Sequence, residues 1–202
     1  MIMELNGDER AAGAIDRVAA LAAQRAGTEH SDLIAHFTRC YLHDTDVADL
    51  EDRAVDDLYG AVLSHWKLGF ERRAGAAKVA LVNPDMDTSG WRSPHTVVMI
   101  VTDDAPFLVD SVRLVLNRHE LGIHLMIHPM IQVDRDEHGR VRAVSDDGKW
   151  TPLAAVVAQA QVVRGGRHEP LLVGVRSNRG DVAPVRGRHV HELDVHLGQS
   201  WR

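Results

Sequence analysis

Residues 95–133 read HTVVMIVTDDAPFLVDSVRLVLNRHELGIHLMIHPMIQV, and this stretch decides the fold class. Its apolar run, residues 97–101, is typical of a buried central strand. The acidic residues and proline of 103–106 predict a helix start, because an acidic side chain can cap free amides and proline fits a first turn. Strict alternation after Gly122 predicts a second strand over 123–133. The stretch therefore predicts strand, helix, strand.

The helix and the second strand are each predicted to have a buried side. The helix is expected to bury Phe107, Leu108, Val112, Val115, Leu116 and Leu121. One strand face is expected to carry Ile123, Leu125, Ile127, Ile131 and Val133, and the other His124, Met126, His128, Met130 and Gln132. The module is therefore expected to be layered, with a helix packed against a sheet.

The flanking sequence extends this pattern. The turn sequence 136–139 predicts that 140–144 pairs back as an antiparallel strand, whereas the weaker signal beyond it favours a helix at 153–163 and a strand at 171–175. Upstream, residues 8–83 are mostly helical by pattern, and Ser31 or Asp32 is expected to cap the second helix. Apolar residues recur with helical spacing from Val55 to Phe70, which predicts a long amphipathic helix.

The predicted class is α+β, with a mainly antiparallel sheet in βαββ(αβ) order. Three regions are expected: a helical segment at 1–76, an α+β module at 77–175 and a poorly defined tail at 176–202. The formal net charge of −6, with Arg and acidic residues interspersed, disfavours nucleic acid as a partner. Apolar runs far below the roughly 20 residues that span a bilayer, and a start without signal-peptide features, predict a cytoplasmic protein without membrane contact.

Seven segments together resemble one known family. They are Phe37-Thr38-Arg39-Cys40-Tyr41, Asp57-Leu58-Tyr59-Gly60-Ala61, Asn83-Pro84, Gly90-Trp91, Ser93-Pro94-His95-Thr96-Val97-Val98, Asp104-Ala105-Pro106-Phe107-Leu108-Val109-Asp110-Ser111-Val112 and His124-Leu125-Met126-Ile127-His128-Pro129. The chain thereby resembles the amino-terminal region of the large bacterial NAD-specific glutamate dehydrogenases, over roughly residues 35–145. The last segment, 176–202, departs from the family, which leaves open a truncation or an altered reading frame.

The resemblance implies an ACT-like module, a small βαββαβ unit that binds amino acids or mediates contacts between subunits. It implies a regulatory or assembly portion of an enzyme that oxidises glutamate to 2-oxoglutarate, whose NAD-binding catalytic domain lies elsewhere on a longer chain. This chain is then expected to carry no catalytic residue, metal or NAD site. Consistent with that expectation, it has no Gly-x-Gly-x-x-Gly, Gly-x-Ser-x-Gly or His-Glu-x-x-His motif. Its partners are expected to be the remaining domains or subunits of the dehydrogenase.

The resemblance also implies a ligand-prone position at the strand-to-helix junction, where free amides attract a carboxylate. The candidate ligand-binding or interface residues are Asp103, Asp104, Phe107, Asp110, Ser111, Gly122, His124 and His128. Amino-acid-binding ACT modules usually have glycine where this chain has Phe107, and its ring is expected to fill the pocket. An interface or structural role is therefore favoured over the alternative, a stand-alone amino-acid sensor.

The two histidines among these candidates are not expected to share a metal ion. On a strand, their four-residue separation corresponds to roughly 13 Å, which one ion cannot bridge. His124 and His128 are instead expected to cover a sheet face that contacts a neighbouring helix layer or subunit.

Overall fold

The fold is known from a computed structural model, which describes residues 6–27 and 30–145 in full and the backbone alone of five later strand segments. The helices are α1 (Gly7–Ala26), α2 (Ser31–Leu42), α3 (Val47–Glu51), α4 (Val55–Phe70), α5 (Met86–Ser89) and α6 (Leu108–Arg118). The strands with described side chains are β1 (Lys78–Val82), β2 (Thr96–Asp103), β3 (Leu121–Ile127), β4 (Met130–Arg135) and β5 (Val141–Ser145). The later strands are β6 (Thr151–Arg164), β7 (Arg167–Glu169), β8 (Gly174–Arg176), β9 (Val182–Pro184) and β10 (Leu193–Asp194).

One large sheet contains most of these strands, and each described pairing in it is antiparallel. Its order is β10-β1-β2-β6-β4-β5, with β3 and β7 also paired to β6. β2 lies along one edge of β6, while β4 and β3 follow one another along the other edge. The predicted α+β class with a mainly antiparallel sheet is confirmed.

Helices cover both faces of the sheet. The alternating residues Val97, Met99 and Val101 of β2 face α2 and α4, while Val98 and Ile100 face α6. The larger core joins the helical segment to the sheet, with buried residues running from Ala14 in α1 to Val144 in β5. The division at residue 76 stays a prediction, because helices and strands from both sides of it share this core.

The amino-terminal helices are capped differently from one another. Asn6 caps α1 in a capping box, because its side chain accepts from the Glu9 amide at 2.9 Å and Glu9 accepts from the Asn6 amide at 3.0 Å. The cap predicted for α2 is wrong: its N-cap is His30, without a side-chain hydrogen bond, and Ser31 lies inside the first turn.

No helix in the described part of the chain is long and apolar enough to cross a membrane.

The strand predicted for 123–133 is two strands, and its strict alternation is wrong. A register shift between Ile123 and Leu125 marks a β-bulge, which moves the following side chains to the opposite face. As a result Ile123 and Met126 both pack toward α6, whereas Ile127 packs toward the other helices. Pro129 lies in the short connection to β4, where it removes no donor from the ladder.

The helix predicted for 153–163 is also wrong, because this segment is the central strand β6. Its many alanines favour a helix locally, but β6 has strands on both edges that satisfy its backbone groups. The strand predicted for 171–175 lies partly outside the described residues, and β8 begins at its end. The hairpin predicted at 136–139 is confirmed, because β5 pairs antiparallel with β4.

A buried histidine joins the helices to the sheet. His65 in α4 is 1% exposed, and its Nε2–H donates to the Ile100 carbonyl oxygen at 3.2 Å. Its Nδ1 therefore has the lone pair that accepts from the Tyr41 hydroxyl at 3.1 Å. Burial, partly offset by the Ile100 carbonyl, lowers the pKa of His65 to about 4. Burial also raises the pKa of the Tyr41 hydroxyl, so both groups remain neutral near pH 7.

We expect His65 to make the fold sensitive to acid. Because the pKa of His65 falls from 6.5 to about 4 on folding, the unfolded chain binds the proton first as pH drops. The stabilisation that neutral His65 gives to the folded state is fully present above pH 6.5 and is lost as pH falls toward 4. Its loss lowers the free energy of unfolding by roughly 3 kcal/mol. Urea unfolding at a series of pH values measures it. The variant His65→Gln is expected to show a correspondingly smaller acid loss, and parallel curves for the two proteins would contradict the assignment.

Candidate functional site

The junction between β2 and α6 differs from the predicted helix start. Strand β2 extends through Asp103, and α6 begins only at Leu108. Phe107 is the N-cap, with a left-handed φ of 62° and ψ of 18°, and it makes no side-chain capping hydrogen bond. A positive φ is a strained conformation for a bulky side chain. The acidic residues therefore do not cap the helix, and the junction is a tight turn closed by a strained phenylalanine.

Asp103 is occupied by contacts within the chain. Its carboxylate accepts from the Arg72 guanidinium and, at 2.9 Å, from the backbone amide of Gly75. These contacts tie the end of β2 to the segment that follows α4. The carboxylate therefore has a structural role and is not directed at the free amides of α6.

Phe107 does not fill a pocket, contrary to the expectation from sequence. The residue is 78% exposed and has a left-handed backbone. Leu114 and Val115 on the same helix are also exposed, at 68% and 55%. The expected burial of Phe107 and Val115 is thus wrong, while Leu108 and Leu116 are buried as predicted. The three exposed apolar residues of α6 and its N-cap, Phe107, Leu114 and Val115, are called here the α6 surface.

The remaining candidates are not gathered into one site. Asp104, Asp110 and Ser111 are exposed around the start of α6. Gly122 pairs with residue 161 of β6, whereas Asp103 pairs with residue 153. Eight residues of strand separate these positions by roughly 26 Å. The glycine therefore lies near the opposite end of the sheet from the junction.

The two candidate histidines have different surroundings. His124 is exposed at the β-bulge of β3, and its ring stacks on His95 with centroids 4.0 Å apart and planes inclined by 6°. His128 is half-buried in the connection to β4. Across the described residues, no three His, Cys, Asp or Glu side chains form a group that could hold a metal ion. Their predicted interface role stays a prediction.

Sequence reasoning missed Arg135. Its guanidinium donates to the carbonyl oxygens of Gly69 at 2.9 Å and Phe70 at 3.1 Å, so it caps the carboxyl end of α4. It also donates to Gly139 at 2.7 Å. An arginine near the end of a strand gives no local signal for this cap, because its two acceptors in α4 lie more than sixty positions away in sequence.

The β2–α6 junction does not fit NAD. A dinucleotide-binding turn connects a parallel strand to a helix through glycines that let the backbone approach the pyrophosphate. Here β2 pairs antiparallel on both sides, and Pro106 and Phe107 stand at the helix start.

The unit β2-α6-β3, followed by β4 and β5 in one antiparallel sheet, is consistent with an ACT-like α+β module. A model of the family described as "Glutamate dehydrogenase, ACT1 domain" matches residues 37–163. The chain belongs to this family, found in the amino-terminal region of the large NAD-specific glutamate dehydrogenases.

Two curated relatives show the same resemblance. The NAD-specific glutamate dehydrogenase of Halomonas elongata is 43% identical over 97 residues, covering 48% of this chain and 6% of that protein. The enzyme of the same name from Pseudomonas aeruginosa is 32% identical over 126 residues, covering 62% of this chain and 8% of that protein. The matches therefore span less than a tenth of the length of either relative. No solved structure matches the chain significantly.

Proposed function

We propose that the chain is a non-catalytic regulatory or assembly module of an NAD-dependent glutamate dehydrogenase. In this proposal the whole enzyme oxidises L-glutamate to 2-oxoglutarate in the cytoplasm, and NAD binds to its catalytic domain rather than to this module. The module's partners are the other domains or subunits of the dehydrogenase. The observation that carries the proposal is the α6 surface.

The α6 surface supports docking for two physical reasons. First, three large apolar residues are exposed on one helix and its N-cap, and exposed apolar residues concentrated on one element are typical of protein interaction sites. Second, Phe107 retains a strained backbone while its ring makes little contact with its own chain. Strain at an exposed aromatic residue is typical of functional positions, because folding alone favours glycine or asparagine there.

Stand-alone amino-acid sensing is the weaker alternative. It requires the residues at the start of α6 to converge with Gly122 on one ligand. Asp103 is held by Arg72, and Gly122 lies near the other end of the sheet. An amino acid can still contact the exposed residues Asp110 and Ser111, so direct binding is measured in the test below.

We expect Phe107→Gly to separate stability from docking. Glycine adopts φ near 60° without steric cost, and the lost side chain is already exposed. The variant is therefore expected to be as stable as the wild-type chain, or more stable by up to about 1 kcal/mol. Urea unfolding of the isolated chain checks this, and a marked loss of stability would indicate that the ring packs within the module.

The docking function is tested by grafting. The matching segment of the Pseudomonas aeruginosa dehydrogenase is replaced by this chain, and oligomer size and glutamate-dependent NADH formation are measured. We expect Phe107→Gly combined with Leu114→Ser to weaken assembly and lower activity. The control Arg113→Gln, which changes an exposed polar residue of the same helix, is expected to do neither.

Two results would count against the assembly role. If the double variant assembles and functions like the unaltered graft, the α6 surface is not a docking site. If the isolated chain binds a free amino acid in calorimetric titration and loses that binding on Asp110→Ala, the sensor alternative is favoured. Glutamate-dependent NADH formation by the isolated chain would overturn the non-catalytic reading.

A further inference from the structure

A basic groove lies at the carboxyl end of α4. It is formed by the segment after α4, residues 71–76, and by the turn between β4 and β5. Its volume is about 1000 Å³, which is ample for a small organic ion. The backbone amide of Arg72 donates to the Gly139 carbonyl oxygen at 3.0 Å and joins these two walls.

Two arginines line the inner part of the groove. The Arg72 side chain is 3% exposed and donates to the Ala76 carbonyl oxygen at 2.6 Å and to the Asp103 carboxylate. Arg135 donates to three carbonyl oxygens at the end of α4 and in the hairpin. Two guanidinium groups carry ten N–H donors, and contacts within the described residues use five of them.

The positive charge here is not fully balanced. Within the described residues Asp103 is the one carboxylate paired with either guanidinium, and its side chain is 41% exposed. Burial, together with the nearby charge of Arg72 and despite Asp103, lowers the pKa of Arg135 to about 10. Charges removed from water are normally paired, so the buried Arg72 and the half-buried Arg135 share one carboxylate and leave an incomplete set of ion pairs. An added anion would complete it.

The rim of the groove contributes further cations. Arg73 is exposed and forms no ion pair with any described residue. Arg140 is paired with Glu71 at 3.4 Å, an exposed contact that costs little to exchange. Two acidic side chains of the hairpin also line the groove: Asp136 accepts from the backbone amides of His138 and Arg140 at 2.9 and 2.8 Å, and Glu137 is exposed, 3.6 Å from the His138 ring. Among the described residues five basic and three acidic side chains line the groove, so its net charge is positive.

We propose that this groove binds a small polyvalent oxyanion, a phosphate group or a dicarboxylate, between the inner arginines and Arg73. Guanidinium groups match both ligands, because their planar N–H donors pair with two oxygens at once. Such a ligand would join the end of α4 to the β4–β5 hairpin. This proposal is independent of docking through the α6 surface, and either can fail without the other.

The test is a heteronuclear NMR titration of the purified chain with inorganic phosphate and, separately, with glutarate. Sodium chloride at matched ionic strength is the control for screening. We expect saturable amide shifts in residues 71–76 and 136–140, and the stronger of the two ligands identifies the anion class. Shifts confined to residues 107–111 would place the anion at the start of α6 and overturn the proposal.

Arginine variants test which cations of the groove bind the anion. Arg73→Gln combined with Arg140→Gln removes two rim cations that are exposed and is expected to weaken binding about fivefold or more. The control Arg113→Gln on α6 is expected to leave binding unchanged. Arg135 is left unchanged because it caps α4, and misfolding of an Arg135 variant would mimic loss of binding. Absence of saturation with both anions, or equal affinity in the rim variant, would refute the site.

Discussion

Gly60→Ala is expected to destabilise the fold by about 4 kcal/mol, although the change is a single methyl group in a helix. The new Cβ would lie 2.2 to 2.5 Å from side-chain atoms of Trp91, a residue that is 3% exposed. Trp91 cannot move aside cheaply, because its Nε1 donates to the Ser64 hydroxyl at 3.1 Å and the next amide, Arg92, donates to Asp57 at 3.0 Å. The indole must leave its position, and its burial is lost. Urea unfolding followed by tryptophan fluorescence measures the effect.

A matched control separates this clash from helix propensity. Gly13 lies within α1, and a Cβ there meets only the end of the Arg17 side chain at 3.8 Å. Gly13→Ala is therefore expected to stabilise the chain by about 0.5–1 kcal/mol, as alanine does in open helix positions. If Gly60→Ala behaves like Gly13→Ala, Trp91 does not pack on α4 as described.

The sequence predicted elements whose signal is local. The apolar spacing of α4 and the turn before β5 were both confirmed, because periodicity and turn chemistry act within a few residues. β6 was predicted incorrectly for the opposite reason. Its alanine and valine content is ambiguous, and three of the strands that pair with it, β2, β3 and β4, begin more than twenty positions earlier. Tertiary pairing therefore overrode local preference.

The candidate site was harder to predict than the fold. The expectation that Gly122 joins Asp103 came from the family resemblance, and strand register decides against it. Register cannot be read from one sequence when the partner strand is unrecognised. The apolar side chain of Phe107 predicts burial, yet the residue is exposed and has a left-handed φ. The basic groove combines residues that are distant in sequence, so no local pattern predicts it.

Gly139→Ala is expected to destabilise the fold by about 4 kcal/mol and to release the β4–β5 hairpin from α4. Two costs combine. Gly139 has φ of +80°, where alanine is strained, and its added Cβ would lie 2.5 Å from the Arg72 carbonyl oxygen. That oxygen belongs to the backbone, so neither segment can move aside without breaking the hydrogen bond from the Arg72 amide to the Gly139 carbonyl oxygen. Hydrogen exchange of the Arg72 amide reports the release, and urea unfolding reports the stability.

The comparison with Gly75→Ala isolates the steric cost from the backbone strain. Gly75 has a similar φ of +75°, but a Cβ there meets no atom within 4 Å. It is expected to cost only about 1 kcal/mol, the strain of a left-handed alanine. The excess in Gly139→Ala therefore measures how rigidly the hairpin is held against the segment after α4. Equal losses in the two variants would mean that these walls separate readily, and a groove between them could not hold its arginines in place for an anion.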